Sequence, residues 1–175
     1  ISKIKFIVCG DGFDKEKIKL EAQKYTSEKF QFMGFTENIK SILENLDVFG
    51  YPLNANHYGS GEQAINEAMY AGLPVVAFSN PAEQEIISHN ETGILVDDEQ
   101  EYVEAIKYLY SNPAERIRLG TNAHKHIINK LNNLQCFQKL ELVYKEAMKL
   151  NKKTRTFNTL IKNNKESSND LGARL

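Results

Sequence analysis

Residues 58–78 run YGSGEQAINEAMYAGLPVVAF, the stretch around which the rest of the chain is organised. It divides into a glycine-bearing loop, a short amphipathic helix and an apolar strand entered through Gly72-Leu73-Pro74. Ser60 followed by Gln63 is a capping-box pattern, which makes Ser60 the predicted N-cap. The amides of Gly61, Glu62 and Gln63 are then donors with no intrahelical acceptor. Glycines at 59 and 61 let a ligand approach the backbone, so this helix start suits a phosphate or another anion. Gly72 is the predicted left-handed cap, and Pro74 stops the helix from continuing. Pro74-Val75-Val76-Ala77-Phe78 lacks polar alternation and reads as a strand covered on both faces, as inside α/β sheets.

On that helix Ile65, Ala68, Met69 and Gly72 fall on one side and are expected to pack inward. Glu67 lies nearly opposite Ile65, with Ala64 and Ala71 one turn to either side. Two readings follow. Glu67 is a solvated acid on a surface helix, the ordinary place for a charged residue. Alternatively, its small neighbours leave room for a diol, and the carboxylate accepts two hydroxyl bonds at about 1.5–3 kcal/mol each.

Outward from this centre, residues 4–9 form an apolar run ending in Gly10-Asp11-Gly12, a buried strand feeding a loop in which Cys9 is a buried thiol. The two glycines begin a dinucleotide fingerprint, but Lys15 stands where its third glycine belongs. Helical spacing covers residues 14–27 through Ile18, Ala22 and Tyr25. A second strand is expected over 30–33, ending at Gly34-Phe35, then a helix over 38–45 and a strand over 47–51 closing at Pro52. Beyond the centre, 79–84 reads as a polar loop bearing Pro81, 89–92 as a turn and 94–96 as a strand. Helices are expected over 99–111, from Pro113 past His124, and over 134–150. Strands alternating with helices predict a Rossmann-like parallel sheet with helices on both faces. The division expected is a domain over 1–150 and a mobile polar tail or linker over 151–175.

Composition narrows the function classes. A chain of 175 residues with 41% hydrophobic content can bury a real core. Its formal net charge of −1 gives no electrostatic case for nucleic acid. Cys9 and Cys136 have no paired spacing, so neither a disulfide framework nor a zinc site is expected, and a reducing compartment is. No run is apolar and long enough to span a bilayer, and no signal peptide is expected. Peripheral attachment to a membrane needs only a surface patch.

The order Glu67-Ala68-Met69, then Ala71-Gly72-Leu73-Pro74-Val75-Val76, resembles the signature of family 4 glycosyltransferases of the GT-B fold. Further similar segments follow in register: Glu85-Ile86-Ile87, Asn90, Thr92-Gly93-Ile94-Leu95-Val96, Pro113, Arg116 and Leu119-Gly120. Upstream, Phe6-Ile7-Val8, Gly10-Asp11-Gly12, Phe32-Met33-Gly34, Leu46-Asp47-Val48-Phe49 and Pro52 also fit. The resemblance covers about residues 4–147. It implies the C-terminal, donor-binding half of a retaining, metal-independent transferase with a nucleotide-diphosphate sugar as substrate and no cofactor. Two further parts are implied before residue 1: a strand whose Arg and Lys neutralise the diphosphate, and an acceptor domain. The acceptor would be a glycan, a lipid-linked group or a protein, met in the cytoplasm or at the cytoplasmic face of the membrane.

The resemblance also implies roles. Glu67 matches the carboxylate that binds ribose hydroxyls, Gly10 and Gly12 form a loop facing the nucleotide, and Gly34 closes the neighbouring one. Glu85 matches the position near the donor sugar, and the helix start at Ser60 and Gly61, read above as an anion site, is the candidate for donors to the diphosphate. The family's usual acid eight positions before Glu67 is Gly59 here. One branch carries a Gly-Ser/Thr-Gly-Glu-Gln loop after His-Tyr, and residues 57–63 are similar to it. Glu62 then takes the sugar-side role, or is simply a favourable first-turn acid. His57 is a candidate general acid or sugar partner, or a structural loop residue. His89, His124 and His126 read as surface residues. Glu85 could equally be a helix-start acid. Asn80-Pro81-Ala82 replaces the family's paired glycines, and Pro81 has no N–H to offer a phosphate. Rival readings are a nucleotide-sugar 2-epimerase, a non-catalytic nucleotide-sugar-binding or interaction module, and a receiver-type signalling domain.

Overall fold

The structure, a computed structural model, describes residues 3–25, 27–54, 63–130 and 133–151. They fall into two units, within Ile1–Leu131 and within Asn132–Leu175. The first unit contains β1 (Phe6–Cys9), α1 (Lys15–Gln23), a 3-10 turn (Ser27–Lys29), β2 (Phe30–Gly34), α2 (Ile39–Leu43) and β3 (Phe49–Tyr51). It continues through α3 (Gln63–Tyr70), β4 (Val75–Phe78), α4 (Pro81–Gln84), β5 (Gly93–Val96), α5 (Glu99–Ser111) and α6 (Pro113–Lys130). The second unit contains the helix α7 (Asn133–Lys149). The expected tail from 152 onward lies outside the described residues.

Every described ladder is parallel, as alternating strands and helices predict. The strands form two ladders rather than one sheet, β1-β2 and β3-β4-β5. Val76 lies between Gly50 and Ile94 in the second. Among the described residues β1 pairs with β2 alone, and the expectation of a buried thiol is corrected: Cys9 is exposed, as is Phe6. The Phe6 ring instead stacks on Phe30 across the ladder, with centroids 4.8 Å apart.

β4 is the centre of the larger ladder, and its alternation builds two cores. Val75 and Ala77 pack with Ile65, Ala68 and Met69 of α3 and with Ala123 and Ile127 of α6. Val76 joins Ile94 and Val96 of β5, Ala105 and Leu109 of α5 and Leu119 of α6. The inward stripe read from α3 is fully buried at Ile65, Ala68 and Met69. Each large side chain so buried contributes about 1.5–3 kcal/mol in transfer free energy. At the end of α3, Gly72 has φ +79°, and bonds from Gly72 N to Met69 O (3.0 Å) and from Leu73 N to Ala68 O (3.0 Å) close a Schellman turn.

Local chemistry sets the other boundaries. Asp98 caps α5 by accepting from Glu101 N at 2.8 Å, and Glu101 reaches back to Asp97 N at 2.9 Å. Arg116 donates to Leu109 O at 2.6 Å, satisfying a carbonyl at the end of α5. The polar loop expected over 79–84 is instead the short helix α4. Pro81 sits at its first position after an extended Asn80, where proline's fixed φ favours a helix start. α1 is shorter than its periodicity suggests and buries only Ala22, leaving Ile18, Leu20 and Tyr25 exposed.

Tyr102 of α5 packs its ring 5.9 Å from Phe78 and sets its hydroxyl where a side chain at Gly50 would stand. Burial pushes its phenol from 10.0 up to about 12. Below pH about 10 the phenol is neutral in both folded and unfolded chains and contributes no pH dependence. Between about 10 and 12 the unfolded chain ionises first, so stability falls as pH rises. Urea denaturation at pH about 9 and about 11.5 is expected to show wild type losing more stability than Tyr102→Phe. Equal losses would contradict the buried phenol.

Candidate functional site

The glycines singled out in the sequence stand at the carboxyl ends of β1 and β2. Gly10 N donates to Gly34 O at 2.8 Å, so the two loops are tied together. Asp11, between Gly10 and Gly12, pairs with Lys15 in the first turn of α1. That hydrogen bond holds the Asp11 carboxyl below its ordinary value and raises the Lys15 ammonium. A parallel ladder presents ligand crevices at this end of its strands.

α3 follows β3 and runs back along the ladder, so its N-terminal turn lies toward the carboxyl ends of the strands. Glu67 is half-buried on the side away from Ile65, with Ala64 and Ala71 exposed. Gln63 donates its amide Nε2 to Glu67 Oε1 at 3.0 Å. His57, Ser60, Gly61 and Glu62, with Gly59, lie outside the described residues, and so does the other half of the expected capping box.

The loop stems after β3 and β4 are joined by Asn80, which is buried and donates its side-chain amide to Leu53 O at 3.0 Å. Gln84 donates to Ser79 O and Oγ at 3.1 and 2.8 Å, folding α4 back on its own entry. Glu85 is exposed at the carboxyl end of α4, where its carbonyl accepts from Lys130 Nζ at 2.6 Å. It is therefore not a helix-start acid. The acid in the first turn of α4 is Glu83, which is fully buried and which sequence reading missed. Gly10 and Gly34 are thus brought into contact, while Glu85 and Glu67 share no hydrogen bond.

The three histidines divide. His89 is exposed and accepts from Leu95 N at 3.1 Å, while Asn90 N donates to Gly93 O at 2.8 Å. Together they close the outer edge of β5. His124 and His126 are half-buried rather than surface residues, and α6, which carries both, packs against α3. The His124 ring lies 5.5 Å from that of Tyr70 and bonds to the Tyr70 carbonyl.

A cleft of about 660 Å³ at the β5 edge is lined by His89, Glu104, Tyr108, Glu115 and Arg118, among others. Its polar groups already engage one another: Arg118 with Glu115, Gln100 with Glu104, His89 with Asn90. Among the described residues no group of three His, Cys, Asp or Glu side chains could hold a metal ion. No described helix is long and apolar enough to cross a membrane.

The family pattern "Glycosyl transferases group 1" matches residues 1–126. A 2-deoxystreptamine N-acetyl-D-glucosaminyltransferase of Niallia circulans is 29% identical over 100 residues, 55% of this chain and 25% of that protein. The O-antigen biosynthesis glycosyltransferase WclY of Escherichia coli is 25% identical over 143 residues, 81% of this chain and 39% of that protein. The crystal structure of Anabaena Alr3699/HepE in complex with UDP-glucose superposes with a TM-score of 0.75 at 19% identity, over 83% of this chain and 42% of that one. The chain spans less than half the length of each of these proteins.

Proposed function

The chain belongs to the glycosyl transferases group 1 family, and from that premise we propose that it is the donor-binding domain of a retaining, metal-independent family 4 glycosyltransferase. The whole protein moves a sugar from a nucleotide diphosphate to an acceptor hydroxyl in glycan biosynthesis. The acceptor is a glycan, a lipid-linked group or a protein, and the reaction occurs in the cytoplasm or at its membrane face. The observation that carries this reading is Glu67: a half-buried carboxylate between two alanines, on the helix that enters from the carboxyl end of β3.

Each residue then has a task. Glu67 accepts the two ribose hydroxyls. The tied loops at Gly10, Gly12 and Gly34 bring backbone close to the nucleotide. Ser60 and Gly61 donate to the diphosphate, whose growing charge in the transition state makes fixed donors effective. Glu62, His57 and Glu85 are the residues assigned to the sugar. Stabilisation of an oxocarbenium-like centre and the departing diphosphate accounts for the rate, because interactions stronger in the transition state than in the ground state are those that accelerate.

The whole protein, incubated with UDP-, GDP- and ADP-sugars and candidate glycan acceptors, is expected to transfer sugar from one nucleotide class. The product should keep the donor's anomeric configuration by NMR, and activity should survive EDTA. One observation favours a second reading, a non-catalytic nucleotide-sugar-binding module: Pro81 opens α4 where a phosphate-contacting N–H would otherwise stand. Binding without transfer by the whole protein would select that reading. Production of the donor's 2-epimer would select the epimerase.

A further inference from the structure

We propose that Gln63 is a positioning residue that sets the ribose selectivity of the site by holding the Glu67 carboxylate in one orientation. The inference rests on the reading of Glu67 given above. Gln63 and Glu67 are four residues apart on α3, the spacing at which helix side chains meet, and the amide Nε2 lies 3.0 Å from Oε1. An ionised carboxylate has two oxygens and about four lone-pair sites. A donor on Oε1 fixes the side chain and leaves Oε2, with the remaining capacity of Oε1, for two vicinal hydroxyls.

Among the described neighbours on α3, Gln63 is the one placed to do this. Ala64 and Ala71, one turn to either side of Glu67, carry no polar atom in their side chains. Tyr70 turns its ring to His124 of α6. A lysine at position 63 could also hold the carboxylate but would compete as a charge for the same oxygens. A glutamine orients it and leaves its charge for the hydroxyls, whose charge-assisted bonds are the stronger for it. Gln63 is itself exposed, so its removal leaves the packed face of α3 intact.

The test is calorimetric titration of the whole protein with UDP and with 2′-deoxy-UDP, in wild type, Glu67→Ala, Gln63→Ala and Gln63→Glu. Wild type is expected to prefer UDP, and Glu67→Ala to lose the preference. Gln63→Ala should lower the UDP-to-deoxy affinity ratio about 3–10-fold, mostly through UDP, with an unchanged Tm. Gln63→Glu places a like charge against Glu67 and should lower it at least as far at neutral pH, with partial recovery on acidification. A ratio unchanged in Gln63→Ala, where Glu67→Ala abolishes it, overturns this inference alone. So does equal weakening toward both nucleotides. A wild type that binds UDP without preferring it over the deoxy form overturns the Glu67 reading, and this inference with it.

Discussion

Gly120→Ala is expected to destabilise the fold by about 3 kcal/mol, lowering Tm by about 10 °C. Local propensity points the other way, since alanine in a helix interior is favoured over glycine by about 1 kcal/mol. Packing decides the sign. A methyl group at position 120 would run into the carbonyl oxygen of Gly72, and it would stand 2.9 Å from the Gly72 carbonyl carbon. Those are backbone atoms of the turn that closes α3, held by the bonds from Gly72 N and Leu73 N. They can retreat only if that turn opens or α6 lifts from α3, which would strip cover from Ala123 and Ile127. Thermal denaturation measures the outcome. A Tm equal to or above wild type would mean that α6 and the α3 turn do not approach as closely as described.

The elements governed by local periodicity were the ones legible in the sequence. The unbroken run at β4 and the stripe Ile65-Ala68-Met69 require burial wherever they are placed, and Val75, Val76, Ala77 and the stripe are buried. The α5 helix starts and ends where Asp98 and Pro113 put it. Features set by partners distant in sequence were not legible. Cys9 is exposed on a strand that, among the described residues, pairs with β2 alone, and His124 is half-buried beside Tyr70, 54 residues away in sequence. Glu83 looks like any acid in a polar stretch, yet α4 places it inside. Gln63 reads as half of a capping box, while its amide nitrogen is on Glu67, an interaction that the same four-residue spacing could have suggested.

Glu67→Ala is expected to weaken nucleotide binding about 30–100-fold while changing stability by less than about 0.5 kcal/mol. The two effects separate because Glu67 is half-buried on the face of α3 away from the core, and its partner there is the exposed Gln63. Two charge-assisted hydroxyl bonds are lost, and water replaces part of each. A carboxylate that merely decorated a surface helix would give the same small stability change and no change in affinity. A carboxylate that held the fold together would give an unstable variant.

The most direct test of the donor site is therefore a calorimetric titration of the whole protein with UDP, GDP and ADP in turn, wild type beside Glu67→Ala, each checked for an unchanged Tm. Saturable binding of one nucleotide by wild type, weakened at least about 30-fold in the folded variant, is the predicted result. Binding of equal strength in both proteins, or none of the three nucleotides binding to wild type, would contradict it.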